Sequence, residues 1–522
     1  MKYFPLFRFA AAGAMLLAAA GCNKDTFLGD NLDPNNPQVV PPGVVLTSIE
    51  ARTAFVTTNT VGRVTELFMQ RYAGVANQPA AYDTYAIRGE FDNEWQFDLY
   101  AGALADAQNI IDNSSRNGPA YTGIAKLLKA YNFAFTTDLW GDIPYSQALK
   151  GSAILQPRFD KQEDIYRGNA ALEIQSLFEL VREGLADLDK PAGTTVPTSA
   201  DDLIYRGDLN KWKKFGNTLL LKFALQISKK EPVLATTIIK EVLAKGPTSY
   251  ISDNADDFQL AFGTTVGNQN PFFSYNGPSS NPSLGTPLGN RPLDQYASKR
   301  FLDSLGSGTP ISLGRNDPRL PRYYTNSTNN AASTPTAFGL FTAFNNGGNN
   351  VAAAPSQRSV YNTYIVGASG EAPVRMLTNA QTKFILAEAA LLLNTGEVAQ
   401  TRFTEGIKAS MLKTGLTATE ADAYIANPAN RKFVTLGGTT PRVSQNQIIT
   451  QKWIALFGNG YESWNDYRRT GFPNLTSVDN PNLDSPVIPQ RFFYTLTEIS
   501  SNTNNIPNPR PNITQRVWWA SN

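Results

Sequence analysis

Apolar residues recur three and four positions apart through most of the chain, and this spacing limits what the chain can fold into. One stripe runs from Ile124 to Leu139, a second from Ile174 to Leu188, and a third from Phe215 to Ile227. Such spacing puts apolar side chains on one face of an α-helix, and that face must pack against other helices. Strand-like alternation is scarce. The sequence therefore predicts a mainly α fold.

Neighbouring helical segments form pairs, which indicates stacked helix hairpins although no repeat of constant length is present. One segment also carries a clear end signal, because Gly141 and Pro144 follow the apolar turn that ends at Trp140. The predicted pairs are 93–114 with 119–139, 163–188 with 209–229, and 378–394 with 398–413.

Residues 246–374 break the helical pattern and are rich in Gly, Pro, Asn, Ser and Thr. A structureless loop of that length is unusual in a compact domain, so the segment is either a binding-face insertion or partly disordered. Its aromatic residues favour the insertion. We expect 43–522 to form one domain, with the tail 471–522 packed in extended form against the helices.

Missing residue types exclude several kinds of site. The chain has no histidine and one cysteine, which rules out a Ser-His-Asp triad, a His-ligated metal and an intrachain disulfide. Lys and Arg number 46 against 44 Asp and Glu, so the net charge of +2 gives no indication of a nucleic-acid partner. No Gly-Lys dipeptide and no Gly-x-Ser-x-Gly motif occurs. We expect neither a cofactor nor a bound metal.

The N-terminus has the form of a lipoprotein signal peptide, residues 1–21. Its apolar run, Phe9–Ala20, is too short to span a bilayer. Small residues precede Cys22 and resemble a bacterial lipobox, with Ala19 where Leu is usual. This predicts a lipidated Cys22 and an extended tether over 22–42. The alternative is ordinary signal cleavage that leaves a free thiol.

Three segments carry a family resemblance. They are LLKAYNFAFTTDLWGDIPYSQAL from Leu127 to Leu149, GDLNKWKKFGNTLLLKFALQIS from Gly207 to Ser228, and ITQKWIALFGNGYESWNDYRRTGFP from Ile449 to Pro473. Together with the lipobox and the tether, they resemble SusD/RagB-type nutrient-binding outer-membrane lipoproteins of Bacteroidetes.

The resemblance implies a tetratricopeptide-like scaffold of helix pairs with a long loop-rich ligand-binding face. It implies a protein anchored at the cell surface in the outer membrane by its N-terminal lipid. It also implies a partner, a SusC-like TonB-dependent transporter, to which an oligosaccharide or a peptide is delivered. Such proteins bind their ligand and do not catalyse a reaction.

Ligand contacts are expected in the loops, because aromatic rings match the C–H faces of a sugar and amides match its hydroxyls. Two stretches, Gln70–Trp95 and Asn268–Tyr296, combine both residue types, and Phe338, Phe341 and Phe344 form a weaker third set. The alternative is that these rings fix the loops to the scaffold. The candidate ligand-binding residues are Tyr82, Tyr85, Trp95, Phe272, Phe273, Tyr275, Asn276, Arg291 and Tyr296.

Other functions remain open from the residues alone. A helical array can also serve as a protein-binding scaffold or adhesin. Glu94 and Asp98, four residues apart, could form the carboxylate pair of a glycosidase, although acids also favour the first turn of a helix. Asp253, Asp256 and Asp257 could hold Ca²⁺, but their spacing does not match an EF-hand loop. In the third family segment, Asp466 is expected to pair with one of the two arginines at 468 and 469.

Overall fold

The structure, a computed structural model, describes residues 40–191, 193–276, 291, 294–306, 316–325, 341, 343–348, 359–437, 440–483 and 485–521. The predicted signal peptide, Cys22 and nearly all of the tether lie outside these ranges. Within them helices form the body of the protein and strands occur only in short pairs, which confirms the predicted mainly α fold.

A π-helix, Glu94–Leu104, lies between two of the α-helices, and the strands form three antiparallel pairs. The α-helices are α1 (Pro42–Thr58), α2 (Thr60–Phe68), α3 (Asn77–Asp83), α4 (Ala105–Asp112), α5 (Ser114–Trp140), α6 (Gln162–Arg167), α7 (Leu177–Asp189), α8 (Leu209–Ile227), α9 (Pro232–Ala244), α10 (Pro271–Asn276), α11 (Lys299–Leu305), α12 (Leu320–Tyr323), α13 (Thr363–Val366), α14 (Asn379–Leu393), α15 (Ala399–Lys413), α16 (Ala418–Ala426), α17 (Arg431–Val434), α18 (Pro441–Ala455), α19 (Gly460–Thr470) and α20 (Leu496–Ser501). The strands are β1 (Tyr72–Gly74), β2 (Ile143–Pro144), β3 (Phe159–Asp160), β4 (Phe258–Leu260), β5 (Gln295–Ala297) and β6 (Val374–Leu377). Strand β1 pairs with β5, β2 with β3, and β4 with β6.

Glycines set the closest helix contacts. A Cβ added to Gly123 of α5 would lie 2.8 Å from the carbonyl oxygen of Gly184 in α7, and one on Gly184 would lie 3.0 Å from that of Gly123. On α15, a Cβ at Gly406 would lie 2.9 Å from the ring of Phe384 in α14. These contacts let the α5–α7 and α14–α15 backbones approach closely, and the second pair confirms the predicted hairpin of 378–394 with 398–413.

One predicted helix is wrong, because 163–188 is two helices with a break between them. Helix α6 ends at Arg167 and is followed by Gly168, whose φ is 81°. Helix α7 starts after Ser176, which forms a capping box with Glu179. The Ser176 hydroxyl accepts a hydrogen bond from the Glu179 N–H at 3.0 Å, and the Ser176 N–H donates to the Glu179 carboxylate at 2.9 Å. The Ser-x-x-Glu spacing was the available sequence signal for this boundary.

The end of α5 follows the prediction, and a buried carboxylate just before it joins distant parts of the chain. Helix α5 stops at Trp140, and Gly141 has a φ of 81°. Both carboxylate oxygens of the fully buried Asp138 accept two hydrogen bonds each, all from neutral donors. Oδ1 accepts from the Tyr166 hydroxyl and the Trp519 indole, both at 2.8 Å, and Oδ2 accepts from the Tyr461 hydroxyl at 2.8 Å and the Asn465 amide at 3.0 Å.

Buried ion pairs join α14, α18 and α19. The Arg469 guanidinium donates to both oxygens of Glu388, at 2.6 and 2.8 Å, and to Asp466 at 2.9 Å. Lys452 pairs with Asp466 at 2.8 Å. The prediction that Asp466 holds one of the two arginines is therefore confirmed, while the bidentate partner is Glu388, which lies 81 positions away and gave no local signal.

The C-terminal tail packs over the helices as expected. The Phe492 N–H donates to the Leu139 carbonyl at 2.9 Å, and the Trp140 indole donates to the Phe493 carbonyl at 2.9 Å. The Trp464 indole donates to the Pro489 carbonyl at 2.8 Å. These contacts satisfy backbone groups of a segment that has little secondary structure of its own.

Two strand pairs attach the loop-rich segment to the helices. Tyr72 to Gly74 pair with Ala297 to Gln295, and Phe258 to Leu260 pair with Leu377 to Val374. The loop that leaves β4 and the loop that leads into β6 are held beside α1, because both strands contact that helix.

We predict that Asp138→Asn destabilises the fold strongly. Each carboxylate oxygen has two donors, so an amide group at either position would face two N–H or O–H groups and leave them without an acceptor. The free energy of unfolding should fall by about 2–4 kcal/mol, as for other buried donors that lose their acceptor. Urea unfolding followed by tryptophan fluorescence measures it.

Asp189→Asn is the matched control, because that carboxylate is 70% exposed and pairs with the side chain of Lys213 at the surface. Its effect should stay within about 0.5 kcal/mol. Equal stability of the two variants would show that Asp138 does not hold the helices together.

Candidate functional site

Seven of the nine predicted ligand-binding residues are buried. Trp95 packs edge-on against Trp140, with ring centroids 5.0 Å apart, and its indole donates to Glu498 at 3.3 Å. Tyr296 lies in β5 against the ring of Phe344. These contacts are those expected of rings that fix loops to the scaffold. Ligand contact by the seven remains a prediction. The buried residues are Tyr82, Tyr85, Trp95, Phe272, Phe273, Asn276 and Tyr296.

The other two predicted residues are accessible and adjacent. Tyr275 is half-buried at the end of α10, and Arg291 is exposed. The Arg291 N–H donates to the Tyr275 carbonyl at 2.8 Å. Of the weaker third set, Phe338 lies outside the described residues, Phe341 is half-buried and Phe344 is buried.

Tyr275 belongs to an open groove of about 610 Å³. One wall is the outer face of α1, and the opposite wall is the loop that runs from β4 to α10. The size lies within the range of small-ligand sites. The residues that line this groove are Ala51, Arg52, Phe55, Asn59, Asp98, Phe262, Gly267, Asn268, Gln269, Pro271, Ser274 and Tyr275.

The α1 wall follows from helix geometry. Arg52, Phe55 and Asn59 are spaced three and four apart and share one face, opposite the buried stripe of the helix. The side chain of Phe55 is 39% exposed. An apolar ring at a solvent-facing helix position gives up the contacts that it would make in the core. Phe97 of the neighbouring π-helix is also 54% exposed, and its carbonyl accepts from the Arg52 guanidinium at 2.8 Å.

Hydrogen bonds fix the loop wall. The Gly263 N–H donates to the Asn268 carbonyl at 2.7 Å, which closes the loop on itself. The Gln269 amide donates to the Ser369 carbonyl at 2.8 Å, and the Asn270 N–H donates to the Gly370 carbonyl at 2.8 Å. The strand pair β4–β6 therefore presents two neighbouring loops, and Asn268 stays exposed on the first of them.

One ion pair lines the groove, and a buried cation outside the lining stacks on the Tyr275 ring. Arg52 lies 3.9 Å from Asp98. Burial and the nearby charge of Glu94 raise the pKa of Asp98 to about 6, and Arg52 opposes that rise. The Arg63 guanidinium lies 3.5 Å from the centre of the Tyr275 ring, a cation–π contact that fixes the ring plane. Because its pKa is about 6, the Asp98 carboxyl is mostly ionised at neutral pH and can accept hydrogen bonds.

This arrangement suits binding better than glycoside hydrolysis. Of the described residues that line the groove, Asp98 alone is acidic, whereas hydrolysis takes two carboxylates on either side of the bond. Glu94, the other member of the pair considered from the sequence, is buried.

The three aspartates considered for Ca²⁺ are occupied by protein groups. Asp256 pairs with Lys214 at 2.8 Å, Asp257 pairs with Lys413 at 2.6 Å, and Asp253 caps the short 3₁₀ turn Asn254–Asp256. Across the described ranges, no three Asp, Glu, Cys or His side chains come close enough to hold a metal ion. In the same ranges, no helix has both the length and the apolar character needed to cross a membrane.

Sequence reasoning missed Arg52, Phe55 and Asn59, and it considered Asp98 only as one carboxylate of a glycosidase pair. The available signal was the arginine, ring and amide on the polar face of a helix. Helical periodicity draws attention to the buried stripe instead, so Phe55 was not separated from the apolar residues beside it.

Comparison with known proteins agrees with this fold. A family model for SusD-like proteins, starch-binding and associating with the outer membrane, matches residues 34–495. No curated protein matches the chain.

Three solved structures illustrate the similarity, and their identities below 25% bear on the fold alone. A chitin-binding SusD homologue from Flavobacterium johnsoniae has 23% identity and a TM-score of 0.71, covering 91% of this chain and 99% of that one. A SusD homologue from Bacteroides uniformis has 22% identity and a TM-score of 0.71, covering 92% and 99%. A SusD-like protein from Bacteroides thetaiotaomicron has 20% identity and a TM-score of 0.70, covering 92% and 98%.

These structures confirm the predicted tetratricopeptide-like, mainly α fold. Because the family model covers most of the chain, the protein belongs to the SusD-like family, described as starch-binding and associated with the outer membrane.

Proposed function

We propose that this protein is a cell-surface lipoprotein that captures an oligosaccharide, or a peptide, and delivers it to a SusC-like TonB-dependent transporter in the outer membrane. Family membership supports binding and association with the outer membrane. The groove beside α1 is the observation that carries the proposal, because it combines accessible rings with amides and has one carboxylate among its described lining residues.

The chemistry of the groove favours a sugar as the first ligand to test. Phe55 offers a ring for the C–H face of a pyranose, and Asn59, Asn268 and Gln269 offer amides, which both donate and accept. The family description names starch, and one similar structure is chitin-binding. Both ligands are neutral or nearly neutral glycans.

The same groove implies weak, reversible capture. A ring contributes roughly 0.5–1.5 kcal/mol beyond its area burial, so one or two rings give modest affinity. Modest affinity suits delivery, since a ligand that is handed to a transporter must dissociate again. Tyr275 takes part in this proposal because it lines the groove. Arg291 is bonded to the Tyr275 backbone outside that lining, and its contact with a ligand remains a prediction. Contact by the seven buried residues predicted from the sequence would require the loops to open.

We predict that Phe55→Ala weakens sugar binding about fivefold to tenfold, which corresponds to losing the contribution of one stacked ring. Isothermal titration calorimetry with malto-oligosaccharides and chito-oligosaccharides measures it. Asn268→Ala should act in the same direction, because it removes an exposed amide from the opposite wall.

Leu155→Ala is the control, since that side chain is 81% exposed and does not line the groove. It should bind like the wild type. Sugar binding that Phe55→Ala and Asn268→Ala leave unchanged would place the ligand elsewhere and overturn the groove assignment.

We also predict that Cys22→Ser abolishes membrane attachment. Without the thiol no lipid can be added at this position, and two or more acyl chains are what makes the anchor stable. Cells fed a fatty-acid probe should label the wild type and not the variant, and the variant should leave the membrane fraction. Equal labelling of both proteins would contradict the lipid anchor.

We also predict that the protein forms a stable complex with its transporter. Affinity purification of the intact protein from its native membrane in mild detergent should yield a TonB-dependent barrel in stoichiometric amount by mass spectrometry. A surface protein ligand without a barrel would instead support the scaffold or adhesin alternative.

A further inference from the structure

Two charged residues, Arg52 and Asp98, line the groove beside α1. Arg52 is on α1, and Asp98 is on the π-helix that packs against α1. The side chain of Arg52 is 42% exposed and that of Asp98 is 16% exposed. A ligand in the groove can therefore reach both of them.

The two side chains lie close together but do not satisfy each other. Arg52 Nη1 and Asp98 Oδ1 are 3.9 Å apart, whereas a hydrogen bond between charged groups is about 2.7–2.9 Å long. The Nη1 group donates instead to the Phe97 carbonyl at 2.8 Å. Among the residues that the structure describes, none donates a hydrogen bond to the Asp98 carboxylate. The pair thus offers unused donors on one side chain and unused acceptors on the other.

The π-helix positions the Arg52 side chain. A Cβ added to Gly102 would lie 2.8 Å from Arg52 Cδ and 3.1 Å from its Nη1, so the arginine lies directly against the Gly102 backbone. The Phe97 carbonyl holds the guanidinium from the same helix. A side chain that is already held in place loses less conformational freedom when a ligand binds, which favours affinity.

A purely structural ion pair is the alternative for Arg52 and Asp98. Another surface pair of this protein, Arg182 with Glu241, closes to 2.7 Å, although its arginine is just as exposed, at 42%. The Arg52–Asp98 pair has not closed in this way. Its separation leaves room for a polar ligand group to accept from the guanidinium and donate to the carboxylate.

The exposed ring of Phe55 indicates what that polar group is. Phe55 and Arg52 are three positions apart on one helix face, so their Cβ atoms are about 5–6 Å apart. A pyranose that stacks its C–H face on the ring directs its equatorial hydroxyls sideways, in the plane of the sugar. Arg52 is the neighbour of that ring, and Asp98 lies beside Arg52.

We propose that Arg52 and Asp98 are the specificity-determining pair of the groove, and that together they bind two equatorial hydroxyls on adjacent carbons of a pyranose. Arg52 donates to the oxygen of one hydroxyl, and the other hydroxyl donates to Asp98, since a hydroxyl can do either. The pair rests on the proposed function, because it belongs to the same groove. It narrows the ligand class from oligosaccharides in general to sugars that carry such a vicinal diol.

Two deoxy sugars test the need for adjacent hydroxyls in the unmodified protein. Methyl 6-deoxy-α-glucopyranoside keeps the adjacent ring hydroxyls of methyl α-glucopyranoside, whereas methyl 3-deoxy-α-glucopyranoside has no adjacent pair. Saturation-transfer NMR measures the binding of all three. The 6-deoxy sugar should bind like the parent, and the 3-deoxy sugar about tenfold more weakly, which is the loss of one hydrogen bond to a charged group. Equal binding of the two deoxy sugars, or no binding of the parent, would overturn the proposal.

The variants Arg52→Gln and Asp98→Asn should each weaken binding of methyl α-glucopyranoside about fivefold to tenfold. They should also reduce the difference between the two deoxy sugars. Arg182→Gln is the matched control, because its guanidinium is equally exposed and does not line the groove. It should bind all three sugars like the wild type.

The same variants separate this proposal from the proposed function. If Phe55→Ala weakens sugar binding while Arg52→Gln and Asp98→Asn do not, the groove binds sugar but the charged pair does not select it. If none of the three variants weakens binding, the groove assignment itself fails.

The pH profile reports contact with Asp98 without any variant. Burial and the charge of Glu94 on the same π-helix raise the pKa of Asp98 to about 6, and Arg52 on α1 opposes the rise. A protonated carboxyl is a weaker acceptor than a carboxylate. The affinity of the wild type for methyl α-glucopyranoside should therefore fall from about pH 7 to about pH 5, and that of Asp98→Asn should stay constant. A constant affinity in the wild type would show that Asp98 does not contact the sugar.

Discussion

The helical scaffold depends on one buried carboxylate that four neutral donors hold in place. Asp138 accepts four hydrogen bonds from neutral donors on α6, α19 and the C-terminal turn. Burying a charge is costly unless it is well hydrogen-bonded, and four donors on two oxygens are close to the capacity of a carboxylate. Each donor must arrive from a fixed direction, so this single group sets the relative position of α5, α6, α19 and the chain end.

The same arrangement determines which groups Arg468 can contact. Its guanidinium donates to the Asp138 backbone carbonyl, while the Asp138 carboxylate is already used by neutral donors. Trp464 and Trp519 lie 3.7 and 4.8 Å from the guanidinium carbon. Aromatic faces and carbonyl oxygens stabilise a cation without cancelling its charge. The third family segment thus closes the core around a buried guanidinium.

Local patterns predicted the parts of the fold that local energetics decide. The stop at Gly141 and the α14–α15 hairpin follow from backbone preference and apolar spacing, so short sequence windows were enough. The partner of Arg469 was not predictable, because Glu388 is distant in sequence and only tertiary packing brings it near. The Ser-x-x-Glu spacing at Ser176 indicated the break before α7, but the prediction gave more weight to the continuous apolar stripe.

The site was harder to predict for a physical reason. Aromatic rings bury large apolar areas, so a ring in a loop is drawn to the core unless the fold prevents it. Trp95 and Tyr296 follow that rule and are buried, although aromatic rings are also the groups that recognise sugars. Phe55 does not follow it. The opposite face of α1 is already buried, and turning the helix to bury Phe55 would expose that face. A ring that remains exposed on a rigid helix is thus a better indicator of binding than a ring in a loop, since the fold, and not the preference of the residue, keeps it accessible.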